Sequence, residues 1–548
     1  MVPADPAAVG RLTHYLIELI SETNGLSVED TLELAEQSVL VEADPGIQAI
    51  IHDFRDLLGQ FRLDREQIDP LLTHPFSDAL SAVFRGFPLP YREEHIHLTG
   101  SLDAEFIFPR LQRLLSGPDR ETYERKIVEV YGPDSLPIDS VADVDRLIRL
   151  SEGDRFDRYL KILYLPKLIL TTREVHAEAA FHLATRLYRD YNVGAIRLKF
   201  TLFRATSDSS EQIPGLEDLT PEDVVMGLYD GFKSFQREYP GFQFILSPSF
   251  RKESSFYDAV NFRSKKEQFD DQVREIVELL EFHPELRNHM HEIDTVGDEK
   301  GFYRKSHFQE MKVGMRKLQA YGFSVRSHHG ETWNTLRQGI NAVDNAMNIW
   351  HVDAIEHGLS LGINPNYYFH SLLQRAMKWN RRGEGIVPGS LEHNELVDMD
   401  WNGRDHIRDR LIAGEALTRN EITLFKKAKF HAAKEVEHYQ HDVLNRMIDK
   451  RLSLIALPSS NKRLTGAFED FKDHPFSWWE KKGLKLGVGT DNYVTLNTNF
   501  IREMLILLYT DPLELKITKL LIVTTGETRR PYISHLLWQM RKSAGGLS

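Results

Sequence analysis

His95-Ile96-His97 places two imidazoles at positions i and i+2 of an extended run, so both rings leave the chain on one face and can grip one metal ion. Three later apolar runs stop on the residue types that such a site still lacks. Phe323 to Ser327 leads into His328-His329-Gly330-Glu331, Ala354-Ile355-Glu356 into His357-Gly358, and Leu484 to Gly489 into Thr490-Asp491-Asn492. In a parallel β/α barrel the strand ends converge on one mouth, where such enzymes build their sites. There His95, His97, His328 and Asp491 would bind a single divalent ion, with zinc expected, and leave one position for water. The metal draws that water's pKa down to about 7, so hydroxide becomes available at neutral pH. His357 could orient or deprotonate the water, and Glu331 could shuttle a proton if its surroundings are dry enough to raise its pKa.

The order of these motifs resembles that of the adenosine deaminase family of metal-dependent amidohydrolases. The family's HxHxxG appears as His95 to Gly100, its HxGE as His328 to Glu331, its HG as His357-Gly358 and its TD as Thr490-Asp491. Between them, in the same order, Glu292 to Glu299 is similar to the strand ending in GDE, and Pro458 to Gly466 to P-x-S-N-x-x-L-T-G. The resemblance runs from about Arg92 to Thr510 and implies a (β/α)8 TIM-type barrel. It also implies hydrolytic deamination of an adenine nucleoside or nucleotide to the inosine form, with Glu331 protonating N1 while hydroxide attacks C6 and ammonia leaves.

Two departures from the family pattern bear on substrate. Thr99 stands where an Asp usually bonds the ribose 5′-hydroxyl, and Asn492 where a second Asp bonds purine N7. An amide can still donate to N7, and loss of the first carboxylate removes a charge that would repel phosphate. Gly297, in the GDE-like segment, is expected beside the substrate. Arg204, Arg251 and Lys252, just past two strand ends, are the expected phosphate contacts, although surface solvation is the plainer reading of each. Glu299 and Lys300 lie too far beyond Gly297 to bridge a second metal, so one ion is expected. Asp298 and Glu299 read equally as caps of the next helix. His329 should face the outside of the barrel, and His283, His289, His291, His438 and His441 should be solvated.

Eight apolar runs should carry these residues: 93–98, 194–202, 242–248, 290–296, 323–328, 353–357, 452–457 and 484–490, separated by segments of helical period. Residues 1–90 read as a helical region, with apolar residues three and four apart, and residues 91–548 as the barrel. Within the latter, Gly362 to Lys450 is too long for a simple βα connection and is expected to cover the pocket. The barrel should close without either addition, and one or both should join subunits of a homo-oligomer.

The chain has 548 residues, 41% hydrophobic and 27% charged, which suits one large core with additions. Its formal net charge of -13 argues against duplex nucleic acid as a partner and leaves a small purine nucleoside or nucleotide as the expected one. Zero cysteines exclude disulfides, thiolate nucleophiles and sulfur-ligated zinc. No stretch reaches the roughly 20 apolar residues of a membrane span, and the N-terminus lacks a signal pattern, so the expected location is cytoplasmic. Two other readings keep part of this picture. One is deamination of a free or modified adenine base, and the other is a scaffold with a vestigial barrel site, which the intact ligand set argues against.

Overall fold

The structure, a computed structural model, describes residues 5–545 except 24, 64–66, 152, 155, 203–215, 217, 218, 467 and 469. Eight parallel strands form its centre: β1 (Tyr91–His97), β2 (Val193–Thr201), β3 (Gln243–Arg251), β4 (Glu292–Val296), β5 (Ser324–His329), β6 (Ala354–His357), β7 (Ser453–Ala456) and β8 (Lys485–Val488). They pair in sequence order from β1 to β8. A parallel bridge between Ile96 and Asp491 joins the ends, His97 N–H donating to the Asp491 carbonyl at 2.8 Å and Asp491 N–H to that of His95 at 3.0 Å. All eight expected strands are present as a TIM-type barrel. β3 differs most, because it runs through Pro248 to Arg251 in register with β2 and β4, where the proline reads as a stop.

Between the strands and the outer helices lies an apolar layer that includes Phe308, Met315, Leu318 and Trp350, all fully buried. The N-terminal helices belong to the same core. Phe54 stacks on Phe76 at 4.3 Å and tilts against Tyr509 at 5.4 Å, Ser77 Oγ hydrogen-bonds Tyr509 OH at 2.5 Å, and Tyr91 OH donates to the Phe84 carbonyl at 2.8 Å. The strands close on one another without residues 1–90, and those helices add to the packing around the outer layer. Helices Pro6–Glu22 and Pro75–Arg85 cover the closing helices Arg530–Gly545 and Phe500–Thr510.

The long connection after β6 is also partly barrel. Helix Arg419–Asp449 packs on Leu336–Asn345 and on Pro365–Arg382, and Gln440 donates to the carbonyls of Ser360 and Ile363 at 2.8 and 2.9 Å, so it is an outer-ring helix. The preceding helices brace the loop after β5. Glu395 accepts from Leu336 N–H at 2.6 Å and from Tyr368 OH at 2.7 Å, and Trp333 Nε1 donates to Tyr368 OH at 3.2 Å. Among the described residues no helix is long and apolar enough to cross a membrane.

Candidate active site

His95 and His97 leave β1 toward the barrel axis and meet His328 from the end of β5. His95 Nε2 lies 3.1 Å from His97 Nε2, which lies 3.3 Å from His328 Nε2. Asp491 Oδ1 completes the group at 3.5 Å from His97 Nε2 and 3.8 Å from His95 Nε2. A tetrahedral ion with bonds of about 2.0–2.1 Å spaces its nitrogen ligands roughly 3.3 Å apart, which is the spacing found here.

The protonation of the rings decides what the cluster is for. His95 Nδ1 donates to Glu356 Oε2 at 2.8 Å and His328 Nδ1 to Asp294 Oδ1 at 3.0 Å. With those protons on Nδ1, the Nε2 atoms of both rings turn lone pairs inward, an arrangement that a cation satisfies. Burial holds the pKa of all three imidazoles low, that of His97 at about 3, so they stay in the neutral form that ligates. The residues therefore fit a metal ion held by His95, His97, His328 and Asp491.

Backbone geometry at the strand ends brings in what alternation would have turned away. Glu356 points into the barrel, so the next residue should point out, yet His357 takes φ 68° and swings its ring back to the mouth. Asp491 does the same at φ 66°. Left-handed backbone in a residue with a side chain costs on the order of 1–3 kcal/mol and persists only where its surroundings hold it. Those surroundings come from the segment after β7. Ser460 Oγ donates to Asp491 Oδ2 at 2.6 Å, and the Asn461 amide meets His357 Nδ1 at 2.9 Å.

Glu331 lies at the same mouth, its Oε2 3.8 Å from His357 Nε2. Burial pushes its pKa up to about 7, so at neutral pH much of it is a carboxylic acid able to donate. Its loop rests on Glu299, which accepts from the N–H groups of Gly330 at 3.0 Å and Thr332 at 2.5 Å. Glu299 thus supports the segment that bears Glu331 and does not cap the next helix, which begins at Lys305; neither does Asp298.

The expected substrate contacts fare unevenly. Thr99 is half-buried at the mouth just past β1. Gly297 follows β4 at φ 110°, where a Cβ would collide with the Glu253 carboxylate. Asn492 Nδ2 is engaged, donating to Asp491 Oδ1 at 2.6 Å and to Tyr159 OH. Two of the expected phosphate contacts already have protein partners. Arg251 is paired with Glu253 and stacks over Phe256 at 4.3 Å, while Lys252 is buried beneath the site, donating to the His328 carbonyl with Glu299 Oε2 at 3.8 Å. Freeing either would strip a buried or paired carboxylate of its counter-charge. Arg204 lies outside the described residues.

His329 faces the outer helices, among Phe308 and Trp350. His283 is not simply solvated, because it pairs with Glu222 at 2.9 Å; His289 stacks on Phe244 at 4.1 Å. Groups of three or more potential ligands occur, among the described residues, only at this mouth: His95 with His97 and Asp491, and His95 with His328 and His357.

Sequence reasoning missed the layer beneath the metal ligands. Lys199 lies between Glu356 Oε1 at 3.1 Å and Asp294 Oδ1 at 3.3 Å, and Arg326 Nε donates to Glu356 Oε1 at 2.5 Å. Burial pushes the Glu356 carboxyl up, but Arg326, Lys199 and His95 outweigh it and hold it well below the ordinary range. Deeper still, Glu94 pairs with Arg197 at 2.6 Å, and Arg197 with Glu292. The signal was present in the spacing: Arg197/Lys199, Glu292/Asp294 and Arg326/His328 are charged or polar pairs at i, i+2 inside apolar strands.

No protein-family model matches the chain, and no curated protein matches it either. Among solved structures it is similar to an adenine deaminase from Arthrobacter aurescens, at 14% identity over 83% of this chain and 99% of that one with a TM-score of 0.49. It is also similar to Arabidopsis ADAL complexed with IMP (14%, 83% and 97%, TM-score 0.45) and to a zinc-bound cog1816 amidohydrolase from Burkholderia ambifaria (13%, 84% and 94%, TM-score 0.43). Likeness at this level does not carry an activity across, because chemistry resides in the site and not in the barrel.

Proposed function

We propose that this chain is a metal-dependent aminohydrolase that converts an adenine nucleoside or nucleotide to its inosine form, adding water at C6 and releasing ammonia. The observation that supports it most is the convergence of three imidazoles, two of them held in one tautomer by carboxylates, and Asp491 beside a carboxyl raised to about 7, all at one barrel mouth. The order of the motifs along the chain supports the adenine-type substrate. A divalent ion, zinc by the donor set of three nitrogens and one carboxylate, would lower the pKa of a coordinated water to about 7.

The chain's own residues account for the rest. Glu356 and Asp294 fix the rings of His95 and His328, and Ser460 turns Asp491 inward. Glu331 gives its proton to ring N1, which lets C6 accept the oxygen, and takes up the proton that must reach the departing amine. Breaking the C6–N bond then leaves the carbonyl and ammonia. An ammonia-release screen over adenine, adenosine, deoxyadenosine, AMP, dAMP and ATP tests the proposal. Release from a nucleoside or nucleotide is the expected result, release from adenine alone would move the reading to a free-base deaminase, and release from none would overturn it.

A further inference from the structure

Building on the proposed reaction, we propose that His474, acting through Asn461, keeps the proton of His357 on Nε2, so that His357 faces the reacting centre as a hydrogen-bond donor. It is then neither a metal ligand nor the base that deprotonates water.

The relay begins at a local turn that occurs twice in the chain. In His474-Pro475-Phe476 the His474 Nδ1 accepts from Phe476 N–H at 3.3 Å, and in His74-Pro75-Phe76 the His74 Nδ1 accepts from Phe76 N–H at 3.2 Å. A nitrogen that accepts carries no proton. Burial pushes the pKa of these rings down to about 3 and about 4, so each is neutral and its one proton sits on Nε2.

His474 Nε2 lies 3.2 Å from the fully buried Asn461 amide, which turns Nδ2 toward His474 and Oδ1 toward His357. Two donors would then face each other at His474. A half-turn of the amide exchanges oxygen and nitrogen in place, and donor–acceptor matching requires it. Oδ1 then accepts from His474 Nε2–H, and Nδ2 donates to His357 Nδ1 across 2.9 Å. With Nδ1 accepting, the neutral His357 ring carries its proton on Nε2.

That atom is buried without a hydrogen-bond partner and lies 3.8 Å from Glu331 Oε2. As N–H it cannot coordinate. Of the two groups of potential ligands around His95, the one containing His357 is thereby excluded, and the one containing His97 and Asp491 remains. His357 donates to the oxygen that adds to C6, which steadies that oxygen without taking its proton.

Two measurements test this. In the metal-loaded full-length protein labelled with 15N-histidine, the His357 signals, identified by their loss in His357→Gln, are expected to show an unprotonated Nδ1 and a protonated Nε2. The opposite pattern overturns the proposal whether or not a substrate has been found. His474→Phe is expected to move those shifts toward the opposite tautomer, and unchanged shifts would remove His474 from the relay. Asn461→Asp gives His357 a carboxylate that can only accept, so the proton moves to Nδ1. With metal content unchanged and KM within a few-fold, kcat should fall by about 10²–10³. A base would be strengthened by the same carboxylate, so an unchanged or higher kcat in N461D overturns the proposal. Should N461D fail to fold, the tautomer of the parent protein decides alone.

Discussion

Inside the barrel, beneath the histidines, Glu94, Arg197, Lys199, Glu292, Asp294, Arg326 and Glu356 interlock as ion pairs from five strands; outside it, Phe308, Met315, Leu318 and Trp350 fill the space against the helices. Both regions exclude water, but they do different work. An apolar layer is non-directional and is satisfied by many arrangements of similar volume. A buried charge network tolerates few arrangements, because each unpaired member costs several kcal/mol, so it can hold an imidazole in one tautomer and one orientation. Stability should therefore reside mainly in the shell, and the geometry of the metal site in the interior.

The sharpest break of that contrast is removal of a ligand. His97→Ala and Asp491→Ala are expected to abolish both bound metal and ammonia release while far-ultraviolet circular dichroism stays that of the parent. A metal-free variant with full activity would undo the site as drawn. Glu331→Gln comes next. It keeps shape and metal but cannot give or recover a proton, so turnover should drop about 10²–10⁴-fold with metal content near one ion per chain.

A matched pair then compares the two regions directly. Glu356→Gln removes the carboxylate that orients His95 and should weaken metal affinity about 10–100-fold in a chelator competition. Leu318→Ala, in the shell, should lower unfolding free energy by about 2–5 kcal/mol with metal affinity unchanged. Equal effects on both readouts would show that the division of labour is not real.

The smallest effect is expected at Glu395, where the connection after β6 braces the loop near Glu331. Burial pushes its pKa up to about 8, above the ordinary value of 4.5. A raised carboxyl favours the folded state most at pH below about 4.5, and that contribution is lost as pH rises through about 8. Glu395→Gln retains both bonds to Oε1 without titrating, so the melting temperature of the variant relative to the parent should climb between pH 5 and pH 8. A pH-independent difference would mean that Glu395 is already ionised in the folded chain.

The N-terminal helices extend the lesson about shells. Because Phe54, Phe76 and Ser77 complete the packing around Tyr509, deletion of residues 1–85 should leave the remainder aggregated or strongly destabilised, as seen by thermal melting and light scattering. A stable, monodisperse fragment with parent activity would restore them to the status of an independent addition.

Periodicity along the chain determined the eight strands, their order and the residues at their ends, since a parallel barrel gathers the ends of its apolar runs, and the polar residues just past them, into one mouth. His95, His97, His328, Glu331 and Asp491 were legible because each stands where such a run stops. What the sequence could not decide was anything set by contacts between distant strands. Lys199, Asp294 and Glu356 look like ordinary charges until the barrel closes around them, and only then do they fix ring tautomers across 34 to 261 residues of chain. Arg251 and Lys252 look like free cations until Glu253 and Glu299 are found against them. The left-handed turns at His357 and Asp491 break the alternation on which strand reading depends, and Asn461 and His474 reach His357 only through the fold. Local pattern carries hydrophobic period because burial is a property of one face; it carries no partner for a charge, because a partner is a property of two.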